Sequence, residues 1–322
     1  MPKREVYLGV DCGSVTTKAV LLDKKKRVMR HSYRRNKNIL TSLMECLSDL
    51  DLKRYKVKGC GVTGSGRNFI KIVLGADLAQ TEILAHTVAV LEFHPDARTI
   101  LDIGGEDCKL ITIEGDLFSN FSMNSVCAAG TGSVIENIAD RLDVKIEEFG
   151  DLALQSKSEL HLPGKCGIFL SSAVVSKKNL GYEKSDILMG VCRALVRNYL
   201  SVCGKNLALS PPFVFQGGVS LNKAVVKALE EELNHEIMVP KHNTVMGAIG
   251  MALLVKEKME KENKKTTFNS DFRNKKFESV NFRCLDCTYR CEVTQIYQEN
   301  ELLGAVNSRC GKWETKKIEG RA

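Results

Sequence analysis

Apolar residues along this 322-residue chain fall in short runs broken by glycine, aspartate and serine, alternating with stretches of helical spacing. Val6 to Val10 is one such run, and it ends at Asp11-Cys12-Gly13-Ser14. A second β-rich run, Thr16 to Leu22, follows at once, which predicts a hairpin rather than a βαβ unit. Ile39 to Leu52 sets Leu40, Leu43, Met44, Leu47 and Leu50 at helical intervals, and Ala79 to Phe93 predicts another helix closed by His94-Pro95. Between them, Lys56 to Val62 predicts a strand ending in Thr63-Gly64-Ser65-Gly66. A second hairpin is predicted from Thr99 to Ile103 and Lys109 to Ile113, turning at Gly104-Gly105-Glu106-Asp107. Helices are expected over Ser133–Leu142, Asp186–Leu207 and Asn222–Leu233, with a strand at Phe213–Gln216 running into Gly217-Gly218. The longest apolar stretch, Met246 to Val255, falls short of the roughly 18 residues of a membrane span and predicts a buried helix.

The two hairpins carry one pattern, D-x-G-x-x-x-x-K, from Asp11 to Lys18 and again from Asp102 to Lys109. A repeat at that separation means duplicated lobes, not a solenoid. Small residues at a hairpin tip let backbone N–H groups reach phosphate oxygens, and the hydroxyls of Ser14, Thr16 and Thr17 add donors. Asp11 and Asp102, at the strand ends, suit a hydrated Mg²⁺. Glycine turns are common singly; two of them, followed in order by strand, Gly217-Gly218 and helix, are far more specific. A dinucleotide fold resting on Gly61, Gly64 and Gly66 lacks both the G-x-G-x-x-G spacing and the acidic residue further on.

Composition adds little until the cysteines. With 43% hydrophobic and 27% charged residues and a net charge of +8, the chain is of ordinary globular type, neither disordered nor collagenous. Residues 256–283 carry nine Lys/Arg against five Asp/Glu, which predicts a solvated tether and no nucleic-acid patch. Twelve cysteines without a signal-like N-terminus predict a cytoplasmic protein in a reducing compartment, away from membranes. Cys284-x2-Cys287-x3-Cys291-x18-Cys310 predicts a metal site, and both zinc and an iron–sulfur cluster fit that spacing. Cys127 precedes a predicted helix, where a thiolate is stabilised, and Cys166 lies between Lys165 and Gly167. Cys12, Cys46, Cys60, Cys108, Cys192 and Cys203 sit in strand or helix patterns as packing residues.

The hairpins and Gly217-Gly218 resemble the superfamily of acetate kinase, sugar kinases, heat-shock chaperones and actin. That resemblance implies an α/β chain of two ribonuclease-H-like lobes, an actin-like ATPase fold spanning residues 1–256. Lobe I would cover about 1–94 plus 240–256 and lobe II about 95–239, clamping ATP or ADP with Mg²⁺ in the cleft between. A charged linker, 257–282, and a small Cys-rich metal-binding extension, 283–322, would follow. By the same resemblance Gly13, Ser14, Thr16, Thr17 and Lys18 form the first phosphate loop, Gly104 and Gly105 the second, and Gly217 and Gly218 the adenosine loop.

Three longer words narrow this further: Asp102-Ile-Gly-Gly-Glu-Asp107, Asn124-Ser-Val-Cys-Ala-Ala-Gly-Thr-Gly132 and Gly164-Lys-Cys-Gly-Ile-Phe169. With Gln216 to Leu233 they closely resemble the ATP-dependent activators of 2-hydroxyacyl-CoA dehydratases and benzoyl-CoA reductases, from about Val6 to Val255. The resemblance implies a homodimer sharing one 4Fe-4S cluster through Cys127 and Cys166 of each copy. Two thiolates per chain and four per cubane agree with that stoichiometry. It implies ferredoxin or flavodoxin as electron donor, a double-cluster dehydratase or reductase as acceptor, and ATP hydrolysis coupled to the transfer. The family usually has glutamine where this chain has Glu106, which makes Glu106 a candidate for positioning water. A sugar-type kinase and a nucleotide-dependent regulatory module are the rival readings on the same fold.

Overall fold

The computed structural model describes residues 3–124, 128–269, 271 and 275–315. In chain order the elements are β1 (Arg4–Cys12), β2 (Thr16–Asp23), β3 (Val28–Arg35), α1 (Ile39–Asp49), β4 (Tyr55–Thr63), α2 (Arg67–Leu74), β5 (Leu78–Ala79) and α3 (Glu82–Phe93). Then come β6 (Thr99–Ile103), β7 (Cys108–Glu114), β8 (Leu117–Met123), α4 (Gly132–Leu142), α5 (Ile146–Ala153), α6 (Gly167–Asn179) and α7 (Lys184–Cys203). The chain continues through β9 (Phe213–Gln216), α8 (Lys223–Leu233), β10 (Ile237–Met238) and α9 (Met246–Glu262). It ends in β11 (Phe277–Arg283), β12 (Glu292–Gln298), β13 (Glu301–Val306) and α10 (Lys312–Thr315). No helix among the described residues is long and apolar enough to cross a membrane.

Two compact units result, Met1–Ala85 with Gly247–Ala322, and His86–Met246. Each is built on a five-stranded sheet, ordered β3-β2-β1-β4-β5 in the first and β8-β7-β6-β9-β10 in the second. The pairings match one for one. A three-stranded antiparallel meander is followed by two strands added in parallel, β4 to β1 in one sheet and β9 to β6 in the other. The duplicated motif is therefore the visible part of a duplicated sheet. Central strands buried on both faces read as continuous apolar runs, as β6 does with all five residues buried.

In the first unit, Val6, Leu8, Val10, Leu21, Leu43, Leu47, Cys60 and Val62 form one buried cluster under α1 and α2. In the second, α7 is the central helix, and Leu188, Val191, Leu195 and Tyr199 pack with Leu101, Leu110 and Phe215 of the sheet. Burying each such side chain contributes about 1.5–3 kcal/mol against full exposure.

The C-terminal part differs from the expected tether. α9 continues to Glu262, and the polar residues after it are bonded to the body of the unit. Thr266 Oγ1 donates to Asp77 Oδ2 at 2.7 Å, Thr267 N to Asp77 Oδ1 at 2.8 Å, and Asn269 N to the Leu74 carbonyl at 2.9 Å. The threonines and asparagine that make this stretch look solvated are the donors that strap it down. Beyond it, β11, β12 and β13 form a three-stranded sheet whose Ile296 and Val306 pack with Val73, Phe69 and Ile72 of α2. The cysteine-bearing extension is part of the first unit.

Candidate functional site

Each sheet ends in the same local arrangement. Asp11 stands opposite Lys18 on β2 and opposite Thr63 on β4; Asp102 stands opposite Lys109 on β7 and opposite Gln216 on β9. The carboxylate and lysine touch in both places: Lys18 Nζ lies 3.1 Å from Asp11 Oδ2, and Lys109 Nζ lies 3.5 Å from Asp102 Oδ2 and 2.8 Å from Asp107 Oδ2. Lys109 is 2% exposed, so this is an internal ion cluster, further edged by His86 Nε2 at 3.6 Å from Asp102.

The strand beside each aspartate ends in a glycine at φ +89°, Gly64 in one unit and Gly217 in the other. A side chain there would meet the neighbouring aspartate: a Cβ at Gly64 would sit 2.8 Å from Asp11 Oδ1, and one at Gly217 would sit 2.9 Å from Asp102 Oδ1. Only glycine combines that backbone conformation with that approach. Gly64-Ser65-Gly66 is thus the counterpart of Gly217-Gly218, each leading into a helix. In the sequence only Gly217-Gly218 stands out as such a loop, although the shared strand–glycine–helix order marks Gly64 as well.

Side chains not singled out in the sequence brace the loops. Asn36 Nδ2 donates to the carbonyls of Gly13 at 2.8 Å and Ser14 at 3.0 Å, and its Oδ1 accepts from Thr17 Oγ1 at 2.7 Å. Thr17 is buried and serves this brace, whereas Ser14 stands exposed at the tip. Ser220 Oγ donates to the Gly217 carbonyl at 2.6 Å and accepts from Asn243 Nδ2 at 2.8 Å. Gln216 is fully buried, and among the described residues neither atom of its amide has a protein partner. An orphaned amide beside Asp102 is what a bound water or hydrated cation would satisfy, so the residues present fit a Mg²⁺–nucleotide site. Glu106 is exposed in the second loop.

Cys127 lies outside the described residues, with Ser125 and Val126. Cys166 is half-buried and is the N-cap of α6, the position where a helix best stabilises a thiolate. Gly167 packs against Ala129 and Val134, so the chain just after Cys127 lies beside the Cys166 end of α6. Ile168 and Phe169 are 76% and 68% exposed, an apolar face next to the thiol. A groove of about 770 Å³ opens there, lined by Cys166, Ile168, Ser171, Ser133, Asn137 and Arg141.

The six cysteines expected to pack are all buried. Burial pushes Cys46 up to about 11 and Cys192 up to about 12, and raises Cys60 and Cys12 as well. Cys108 and Cys203 approach to 3.7 Å, and the hydrogen bond between them raises the first and lowers the second. In the tail, Cys284 N donates to the Cys291 carbonyl, Arg309 N to Cys291 Sγ at 3.4 Å, and Trp313 Nε1 to Cys284 Sγ at 3.3 Å. Cys310 is lowered by the backbone N–H of Lys312 and by Ser308, whose Oγ lies 3.9 Å from its Sγ. Among the described residues no three Cys, His, Asp or Glu side chains form a metal-holding group.

Set beside known proteins, the chain is 31% identical over 258 residues to the (R)-2-hydroxyglutaryl-CoA dehydratase activating ATPase of Acidaminococcus fermentans, covering 79% of this chain and 98% of that protein. Its fold is similar to that of the activator of the 2-hydroxyisocaproyl-CoA dehydratase from Clostridium difficile with bound ADPNP. That match has a TM-score of 0.74 at 28% identity and covers 80% of this chain and 97% of the other. A ROK family glucokinase from Streptomyces griseus matches at a TM-score of 0.50 and 12% identity over 78% of this chain and 99% of the enzyme, a likeness of fold alone. The BadF/BadG/BcrA/BcrD ATPase family matches residues 8–255, leaving the tail outside. Extending over both duplicated sheets, that match identifies an ATPase of the actin-like fold: the chain belongs to the BadF/BadG/BcrA/BcrD ATPase family.

Proposed function

We propose that this protein is a homodimeric, ATP-hydrolysing reductase that delivers low-potential electrons to a 2-hydroxyacyl-CoA dehydratase or related double-cluster enzyme. The observation that carries the reading is Cys166. It caps a helix, is half-exposed, lies beside the segment following Cys127, and is flanked by the uncovered Ile168 and Phe169. Two thiolates per chain beside an apolar face suit a ligand shared between two copies. Cys127 and Cys166 of both copies would hold one 4Fe-4S cluster, which supplies a one-electron, low-potential centre when bound. Cys166 stands at the N-terminal end of α6, and Ile168 and Phe169 would exclude water once a second copy covered them.

For the nucleotide, Asp102 in the second unit and its counterpart Asp11 in the first are the carboxylates that would hold Mg²⁺, and Lys109 and Lys18 keep each of them aimed. Gly64 and Gly217 let the backbone approach the phosphates beside them. Reduced ferredoxin or flavodoxin is the donor class that suits such a low-potential acceptor. Glu106, an exposed carboxylate in the second loop, positions the attacking water in the place a glutamine usually takes. Glu106→Gln is expected to change phosphate release by about tenfold or more, with the pH profile losing the ionisation of a carboxylate; an unchanged rate and profile removes Glu106 from that role.

The tail carries a second reading. Cys284, Cys287, Cys291 and Cys310 lie within one small sheet-and-loop element, and backbone and indole N–H groups point at Cys291 and Cys284. The four thiols are not gathered into a metal-holding group in the structure, but such N–H···S contacts are of the kind that support metal-bound thiolates, and we propose that a zinc ion or a second 4Fe-4S cluster would draw them together. Metal analysis of the full chain against a variant with all four changed to serine is expected to show a metal lost with the tail cysteines. Equal metal content in the two proteins contradicts a tail site.

A further inference from the structure

We infer that Gln216 is a positioning residue of the nucleotide site, whose amide holds a water of the hydrated Mg²⁺ against Asp102; the inference rests on the metal site proposed above. Lys109, Asp102 and Gln216 stand opposite one another on β7, β6 and β9. Alternation along the strands puts their side chains on one face of the sheet, away from Leu101, Leu110 and Phe215, which pack with α7. His86 of α3 meets the same face, with Nε2 3.6 Å from Asp102 Oδ2. Among the described residues, four buried side-chain nitrogen and oxygen atoms have no hydrogen-bond partner. Three of them, Gln216 Oε1, Gln216 Nε2 and His86 Nδ1, belong to these two neighbours of Asp102.

The first unit carries a closed version of the arrangement. Lys18, Asp11 and Thr63 occupy the matching places on β2, β1 and β4. There the third residue is satisfied inside the fold, because Thr63 Oγ1 donates to the Gln80 carbonyl at 2.9 Å. The second unit has a longer amide at that place, fully buried and without a partner among the described residues. A buried polar group left unpaired costs stability, and a fold keeps one where a ligand completes it. Lys109 and His86 both lie against Asp102 Oδ2, which leaves Oδ1 on the Gly217 side, 2.9 Å from where a Cβ on that glycine would stand. A water bound to a metal gives its lone pair to the metal and offers two protons, so it needs two acceptors. The Asp102 carboxylate and Gln216 Oε1 are two such acceptors on neighbouring strands. The two halves of the duplicated site are therefore unequal, and the second is the half that orders the metal's water.

ADP affinity of the full-length protein, measured by calorimetry with Mg²⁺ and again in EDTA, tests this apart from turnover. Gln216→Met keeps the length of the side chain and removes both amide atoms. Its gain in ADP affinity from Mg²⁺ is expected to fall about tenfold or more, the usual loss when a group behind a metal ligand is removed, while affinity in EDTA stays within about threefold. Because the fold gives the amide no partner, the melting temperature without nucleotide is expected to hold or rise. A residue that only supported the fold would do the reverse, lowering the melting temperature and both affinities together. Gln216→Leu carries the same expectations with a branched side chain. A Mg²⁺ gain kept at its wild-type size, or variants that melt lower or fail to fold, overturns the role of Gln216. A wild type whose ADP affinity is indifferent to Mg²⁺ overturns the metal site itself and this inference with it, so the two readings fail in distinguishable ways.

Discussion

Asp102→Asn is expected to lower ATP turnover by about two to three orders of magnitude, the usual cost of removing one charged group that acts on the reacting phosphate or its metal. Asn preserves the shape of the side chain, and Gly217 leaves the space beside it unchanged. What is lost is the charge. Lys109, buried in the second sheet, keeps Asp107 at 2.8 Å as a partner, so the lysine is not stranded and the variant should fold. Asp11→Asn, at the matching place in the other sheet, is expected to show a loss of the same kind, because the two aspartates have the same strand neighbours. Steady-state phosphate release at several Mg²⁺ concentrations checks both. A rate within about threefold of wild type would remove the substituted aspartate from any part in metal binding.

Cys166→Ala is expected to abolish iron retention at the shared site and all activation of a partner enzyme, while ATP hydrolysis stays within about threefold of wild type. The stability cost is small, about 0.5 kcal/mol or less, because the side chain is partly exposed and makes no capping hydrogen bond to α6. Loss of iron in that variant therefore reports on ligation and not on folding. If Ile168 and Phe169 are covered only when two copies meet, the variant should also shift toward monomer on dilution. Iron analysis, sedimentation and ATPase rate on one preparation check all three. Iron retained at the wild-type level excludes Cys166 as a ligand.

The duplicated core was readable because its strands obey local rules. Val6 to Val10 and Thr99 to Ile103 are apolar runs ended by Asp-x-Gly, and both appear in the structure as central strands ending in a carboxylate. β3 was missed because Val-Met-Arg-His-Ser-Tyr-Arg-Arg is an edge strand with only Ser32 buried, so no apolar face announces it. α6 was missed for the opposite reason: Ile168 and Phe169 lie on a face this chain leaves uncovered, which blurs the helical pattern. Other features come from partners remote in sequence. Thr266 and Thr267 meet Asp77, Cys203 meets Cys108, and Asn36 braces Gly13 and Ser14. A polar residue read locally suggests solvent, and only the tertiary fold says which ones are donors to the backbone of a functional loop.

The central claim is that this ATPase carries electrons, and iron and labile sulfide in the wild-type protein purified without oxygen test it most directly. The account predicts a brown protein with about four iron and four sulfide per dimer that depend on Cys127 and Cys166, whatever metal the tail adds. A colourless, iron-free dimer that hydrolyses ATP at full rate would contradict it.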